Sequence, residues 1–263
     1  MSVIGTIDSL WRYPVKSMRG EELHEAFVGF AGIYGDRLFA IRSSAAVKGF
    51  PYLTAREQRR MLQYQPRFRF PDKAARPINL TEAESLAPGV TPAFADAPDL
   101  MMDVETPTGE VLAIDDARLL RDLGENVSGA PSLSLVRSDR ALTDCRPISL
   151  LSMQSVQQLG NELGQVVDPR SFRENIYLNL SAAGFTEDSY VGKSLLLGSR
   201  VKVSILERDP RCVMISMHPE TGESKPEVLR QVAQAHQGMT GIYAAVLVEG
   251  IVRKGDPVRL LSA

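Results

Sequence analysis

The 263-residue chain holds only two cysteines, Cys145 and Cys212, and three histidines, His24, His218 and His236. Two cysteines make no disulfide framework, and an iron–sulfur cluster needs about four ligands. No histidine stands at metal-binding spacing from either cysteine, which argues against a structural zinc site. No stretch approaches the ~18–20 apolar residues of a membrane span. The N-terminus opens into a strand-like pattern, not a charged segment followed by an apolar one. Neither sign of charge dominates: 30 Lys and Arg face 32 Asp and Glu, for a net charge of −2. That balance gives no global pull towards nucleic acid or an anionic membrane. Also missing are the phosphate-loop pattern G-x-x-x-x-G-K, the dinucleotide fingerprint G-x-G-x-x-G and the nucleophile elbow G-x-S-x-G. The expectation from these absences is a cytoplasmic protein in a reducing setting, with no nucleic-acid or membrane partner.

What is present is an ordinary globular composition, 44% hydrophobic and 24% charged, enough for one large domain or two modest ones. Period-two alternation predicts strands over Val3–Leu10, Glu22–Phe27, Arg37–Arg42, Ile176–Leu180 and Tyr243–Val248. Pro107-Thr108-Gly109 predicts a tight turn between strands at 100–106 and 110–114. Gly198-Ser199 predicts a hairpin between Ser194–Leu197 and Val201–Leu206. Asp115 or Asp116 can cap one helix, and Ser152 a second that ends at Gly164; a third is expected over Lys225–Gln237. Residues 72–99 read as a partly irregular excursion. Gly129-Ala130-Pro131 breaks the pattern before a new strand at Ser132–Val136. The fold class is therefore α+β and β-rich, in two β-rich halves with a few helices.

The chemistry gathers at strand-to-loop junctions. Val201–Leu206 feeds Arg208-Asp209-Pro210-Arg211-Cys212, where Arg208 and Arg211 favour the thiolate form of the cysteine. A thiolate suits a soft metal ion or an electrophile. On this segment alone a buried structural cysteine is the simpler reading. Lys16 and Ser17 sit on a turn after Pro14, Arg56 in a loop, and Arg173 and Asn175 before a strand. Several cations with a serine and an asparagine suit an anion, most readily a phosphate. Asp36-Arg37 reads as an internal ion pair. The residues thus indicate an anionic cofactor held by scattered loops, with one thiolate contact, and do not identify it.

Six motifs in order resemble one family. They are Tyr13-Pro14-Val15-Lys16-Ser17, Gly35-Asp36-Arg37, Thr54-Ala55-Arg56, Phe172-Arg173-Glu174-Asn175-Ile176, Arg211-Cys212 with Pro219-Glu220-Thr221-Gly222, and Gly255-Asp256-Pro257-Val258. The chain resembles the MOSC-domain proteins with an N-terminal β-barrel domain, relatives of the mitochondrial amidoxime-reducing component and of the C-terminal part of molybdenum-cofactor sulfurases. The resemblance implies an N-terminal β-barrel-like domain over 1–120 and a second β-barrel domain with a few helices over 121–263. It implies the molybdenum cofactor, a pterin with a dithiolene and a phosphate, with Cys212 as metal ligand and catalytic residue. It implies cofactor contacts from Lys16, Ser17, Arg56, Arg173 and Asn175. It also implies two-electron reduction of small N-hydroxylated substrates, with electrons from a separate ferredoxin, flavoprotein or haem protein. A cofactor or persulfide-sulfur carrier is the alternative; a pyridoxal-phosphate enzyme is weaker, because no lysine has a Schiff-base context. The sequence departs from the family pattern at Ile215-Ser216, His218, Ser171 and Arg146.

Overall fold

In a computed structural model describing residues 2–87, 90 and 97–261, seven strands close into a barrel. Their order around the ring is Ser2–Arg12, Ile176–Leu180, Ile148–Ser152, Met239–Val248, Val201–Pro210, Ser194–Leu197 and Pro257–Leu260, which returns to Ser2–Arg12. Alternation decides what fills the interior: Ile7, Leu150, Leu178, Val203, Ile205 and Val258 are buried in one cluster. At the closure, a Cβ on Gly5 would stand 2.2 Å from the Asn179 carbonyl, so only glycine permits the first strand to approach Ile176–Leu180 there.

One neighbouring pair, Ile148–Ser152 and Ile176–Leu180, runs parallel. A parallel pair requires a crossover, and helix Met153–Leu163 provides it. Ser152 caps that helix by accepting from Ser155 N, and Gly164 ends it in the left-handed conformation at φ 65°. Val156 and Leu159 pack with Val228 and Val232 of helix Pro226–Ala235 and with Tyr177, on the barrel's outer wall.

Glu21–Leu23 adds to the edge of Ser2–Arg12, and the remaining strands form three small sheets. One of them, with Glu25–Gly29, Gly32–Ile33 and Gly250–Arg253, packs Ala26, Val28, Ile33 and Val252 onto the barrel core, while the other two share a second core with Phe39, Leu53, Met61, Tyr64, Met102 and Leu119. The strand expected to open the second half, Leu133–Arg137, pairs with Phe39–Ser43 instead. Conversely, Ser2–Arg12 pairs with Ile176–Leu180 and Pro257–Leu260, and Glu25–Gly29 pairs with Gly250–Arg253. The sheets thus draw on residues from both sides of position 120. The expected excursion holds a short helix, Leu80–Ser85; residues 88–89 and 91–96 lie outside the described set.

Candidate functional site

A cavity of about 310 Å³ opens between the barrel's outer wall and the N-terminal layer, near the lower end of the ~300–1,000 Å³ typical of small-molecule sites. Lys16, Ser17, Arg56, Arg173, Asn175 and Cys212 all line it. Residues far apart in sequence are brought together by the junctions between the layers.

The cysteine loop is fixed by three neighbours. Arg211 N donates to the Gly238 carbonyl at 2.8 Å. Beyond Cys212, a short 3₁₀ turn Val213–Ser216 sends Ile215 into the helix-side core. Met217 enters the N-terminal core. Cys212 itself is exposed, so the structure overturns the reading of a buried structural cysteine. It also corrects the role given to Arg208. A register shift between Ile205 and Glu207 re-aims the strand, as a bulge does. Val203 and Ile205 point into the barrel. Past the shift, Glu207 opposes Tyr243 and Arg208 opposes Ile242. Arg208 therefore leaves the cavity side: it pairs with Asp188 at 2.9 Å and donates to Gln237 and to the His236 carbonyl.

Arg211 is the buried cation of this loop. It pairs with Glu174 and, at 2.9 Å, with Asp209. Gly241, at φ 84°, makes the room: a Cβ there would lie 3.0 Å from both Arg211 Nη2 and Glu174 Oε1. Burial holds the Arg211 guanidinium down at about 10. Burial also pushes Asp209 up to about 8, against the Tyr243 hydroxyl and Arg37, which lower it.

Two of the expected anion ligands are already engaged. Lys16 is buried, not a solvated loop lysine; its Nζ donates to the Leu142 carbonyl at 2.8 Å and to Asp144. Its burial lowers its pKa, opposed by Asp144. Asn175 holds Ser149 through Oδ1 and the Trp11 carbonyl through Nδ2, so it clips two barrel strands at the cavity wall. Ser17 is buried at φ 65°.

Arg173 differs from the other cations. It is half-buried, donates to the Met18 carbonyl at 2.8 Å, and lies 4.3 Å over the Tyr13 ring. Burial lowers its pKa to about 10. Among the described residues it forms no ion pair, and neither does Arg56. Arg56 is exposed and stacks 4.6 Å over Phe50; Thr54 and Glu57 bond each other and shape its loop. Ser17, Arg37 and Arg173 have φ of 65°, 43° and 59°, a left-handed conformation that non-glycine residues adopt rarely. The cavity wall therefore concentrates backbone strain.

Sequence reasoning missed several lining residues. Asp36-Arg37 is an ion pair at 2.6 Å, as expected, yet Arg37 also lines the cavity and donates to the Arg173 carbonyl. Asp209 and Tyr243 line it too, as does Cys145. Burial and neighbouring Glu207 push the Cys145 thiol up, which disfavours its thiolate. Of the sequence departures, Arg146 pairs with Glu207 at 2.6 Å on the rim. Arg170 is spent on Asp168 and Glu220. The rim candidates His218 and Glu220 form an ordered turn, in which His218 Nδ1 accepts from Glu220 N and Thr221 N.

Residues 137–259 match the MOSC domain, and residues 4–73 match the MOSC N-terminal beta barrel domain. The chain belongs to the MOSC family. This MOSC protein is 27% identical to mitochondrial amidoxime-reducing component 1 of Mus musculus, over 98% of its own length and 83% of the relative's. It is 24% identical to component 1 of Homo sapiens, over 98% and 84%. It is 31% identical to a molybdenum cofactor sulfurase of Drosophila willistoni, over 52% of the chain and 16% of that protein. Among solved structures, the YUAD protein of Bacillus subtilis aligns over 99% of this chain and 97% of that one, at 12% identity and a TM-score of 0.49. No helix among the described residues of this MOSC protein is long and apolar enough to cross a membrane.

Proposed function

We propose that this MOSC protein binds the molybdenum cofactor in the cavity and reduces small N-hydroxylated compounds with electrons from a separate donor protein. The observation that carries this reading is Arg173, a half-buried, strongly desolvated guanidinium on the cavity wall without an ion-pair partner among the described residues. A desolvated charge without a partner is unfavourable, and an anion in the cavity offsets that cost. The cofactor's phosphate is such an anion, and Arg56 adds a second uncommitted cation. Cys212 presents a soft ligand to the same space. No three His, Cys, Asp or Glu side chains among the described residues gather as a metal cage. The donor set therefore suits a metal that arrives with most of its ligands, as a dithiolene-bound molybdenum does.

In this reading Cys212 ligates the metal, Arg173 and Arg56 hold the phosphate, and Lys16, Ser17 and Asn175 shape and line the site. When bound, the cofactor supplies the two-electron exchange. Arg37 and Tyr13 hold Arg173 in place: Arg37 donates to its carbonyl, and its guanidinium lies over the Tyr13 ring.

The deciding experiment is metal and pterin analysis of protein from a host that makes the cofactor, followed by an assay on N-hydroxylated bases. Turnover is expected with an artificial donor or a reductase system and not with NADH alone, since the chain has no dinucleotide fingerprint. Turnover with NADH alone contradicts the separate donor. Bound molybdenum without turnover under any donor favours the carrier reading.

Arg56→Gln tests the phosphate contact with little risk to the fold, because the side chain is exposed. Loss of one charge-assisted hydrogen bond should weaken cofactor binding by about 1.5–3 kcal/mol, seen as faster cofactor loss on dilution. Retention equal to wild type would remove Arg56 from the site.

A further inference from the structure

We propose that Asp209 delivers the proton that turns the leaving hydroxyl of the substrate into water. The inference rests on the reductase reading above and adds the group that completes its proton balance. Reduction of R–NH–OH takes two electrons and two protons and gives R–NH₂ and H₂O. The N–O bond breaks, and the departing oxygen leaves with a bonding pair. Both electrons come from the donor protein. One proton must reach that oxygen and the other the nitrogen. A hydroxide is a poor leaving group, so a positioned acid at the oxygen is where catalysis gains most.

The geometry singles out Asp209. Two buried carboxylates, Glu174 and Asp209, share the one guanidinium of Arg211. One positive charge cannot neutralise both, and two like charges in a buried site do not both ionise readily. Glu174 is fully buried and does not line the cavity, whereas Asp209 does. The proton held between them is thus available to the cavity only at Asp209. The groups around Asp209 come from every packed element: Glu207 on its own strand, Asp144 and Cys145 from the preceding loop, Tyr243 from the neighbouring strand, and Arg37 from the N-terminal layer. Asp144 and Glu207 add negative charge and favour the protonated form; Arg37 and Tyr243 oppose it. Burial is the largest influence and pushes the carboxyl up to about 8, so that it is mostly protonated near neutral pH. After transfer, Arg211 at 2.9 Å and the Tyr243 hydroxyl accommodate the new charge, and solvent at the cavity mouth returns the proton. The register shift that follows Arg208 makes the position possible: Arg208 opposes Ile242 while Pro210 opposes Met239, so Asp209 falls at the irregular step beside the cysteine loop.

The test uses Asp209→Asn, which keeps size and hydrogen bonding but carries no acidic proton. On metal-free protein, infrared titration should show one carboxyl that ionises near pH 8 and is missing from the variant. On loaded protein with an artificial donor, molybdenum content should match wild type. The rate on an N-hydroxylated base should fall about 10²–10⁴-fold, and the wild-type loss of activity above pH 8 should disappear. Asp209→Glu should recover part of the rate. A variant within threefold of wild type, with the alkaline limb unchanged, overturns the assignment, as does a titration with no carboxyl near pH 8. Failure of the underlying reading looks different: wild-type protein then holds no molybdenum or turns over no substrate. In that case Asp209 is a buried acid with no donor role.

Discussion

Cys212→Ser should leave the fold intact and remove molybdenum from the protein. The side chain is exposed and caps no helix, so stability should change by no more than about 0.5 kcal/mol. Ligation should change far more. Serine offers a harder oxygen whose proton does not leave near neutral pH, whereas a soft metal prefers a thiolate. The measurement is molybdenum per protein after purification from a cofactor-producing host, with thermal unfolding as the control. Cys145→Ser is the matched comparison. Its thiol lines the same cavity, but burial and Glu207 hold it towards the protonated form, so that variant should keep its metal. Full molybdenum in the Cys212 variant, or loss only in the Cys145 variant, would reverse the assignment of the two thiols.

The second large effect concerns stability. Arg211→Leu should destabilise the protein by about 3–5 kcal/mol near neutral pH, because it leaves two buried carboxylates without their shared cation. The direction with pH follows. Without Arg211, Asp209 has a folded pKa raised further above its unfolded value of ~4. The folded protein then binds more protons than the unfolded one, so stability falls as pH climbs from about 4 through the raised value. The variant should regain part of its loss in mild acid. Wild-type protein shares a milder form of this trend, since Asp209 already sits at about 8. Chemical denaturation across pH 5 to 8 checks both. An Arg211→Leu protein as stable as wild type at pH 7 would mean that Arg211 does not stabilise the buried carboxyl pair Glu174 and Asp209.

Much of the fold was legible because alternation marks strands and capping residues mark helices. Ile176–Leu180, the Gly198 hairpin and the helix from Ser152 to Gly164 fall where the pattern put them. The candidate site residues were legible as types in recurring motifs, and the fold places all of them around one cavity. What could not be read is register. A one-residue shift moves side chains to the opposite face, and the shift after Ile205 leaves no mark in composition. Arg208 therefore looked like a neighbour of the cysteine when it faces Asp188. Strand partners were equally hidden: nothing in Leu133–Arg137 says that it returns to Phe39–Ser43. Arg37 was read correctly as an ion pair, and that reading hid its second role, because a residue's partner in sequence does not reveal which wall it forms. The exposure of Cys212 depends on Ile215 and Met217 entering two different cores, a tertiary fact.

The barrel's closure has a consequence for how the chain acquires its structure. Ser2–Arg12 lies between Ile176–Leu180 and Pro257–Leu260. Ser2–Arg12 is made well before Pro257–Leu260 and must wait for it before the ring is complete. Contacts so distant in sequence slow folding, and until they form the earliest strand has unpaired edges that invite association with other chains. The N-terminal core around Met61 and Tyr64 draws mostly on nearby residues and can consolidate sooner. The cavity between the layers is then assembled late, at the moment the last strand docks.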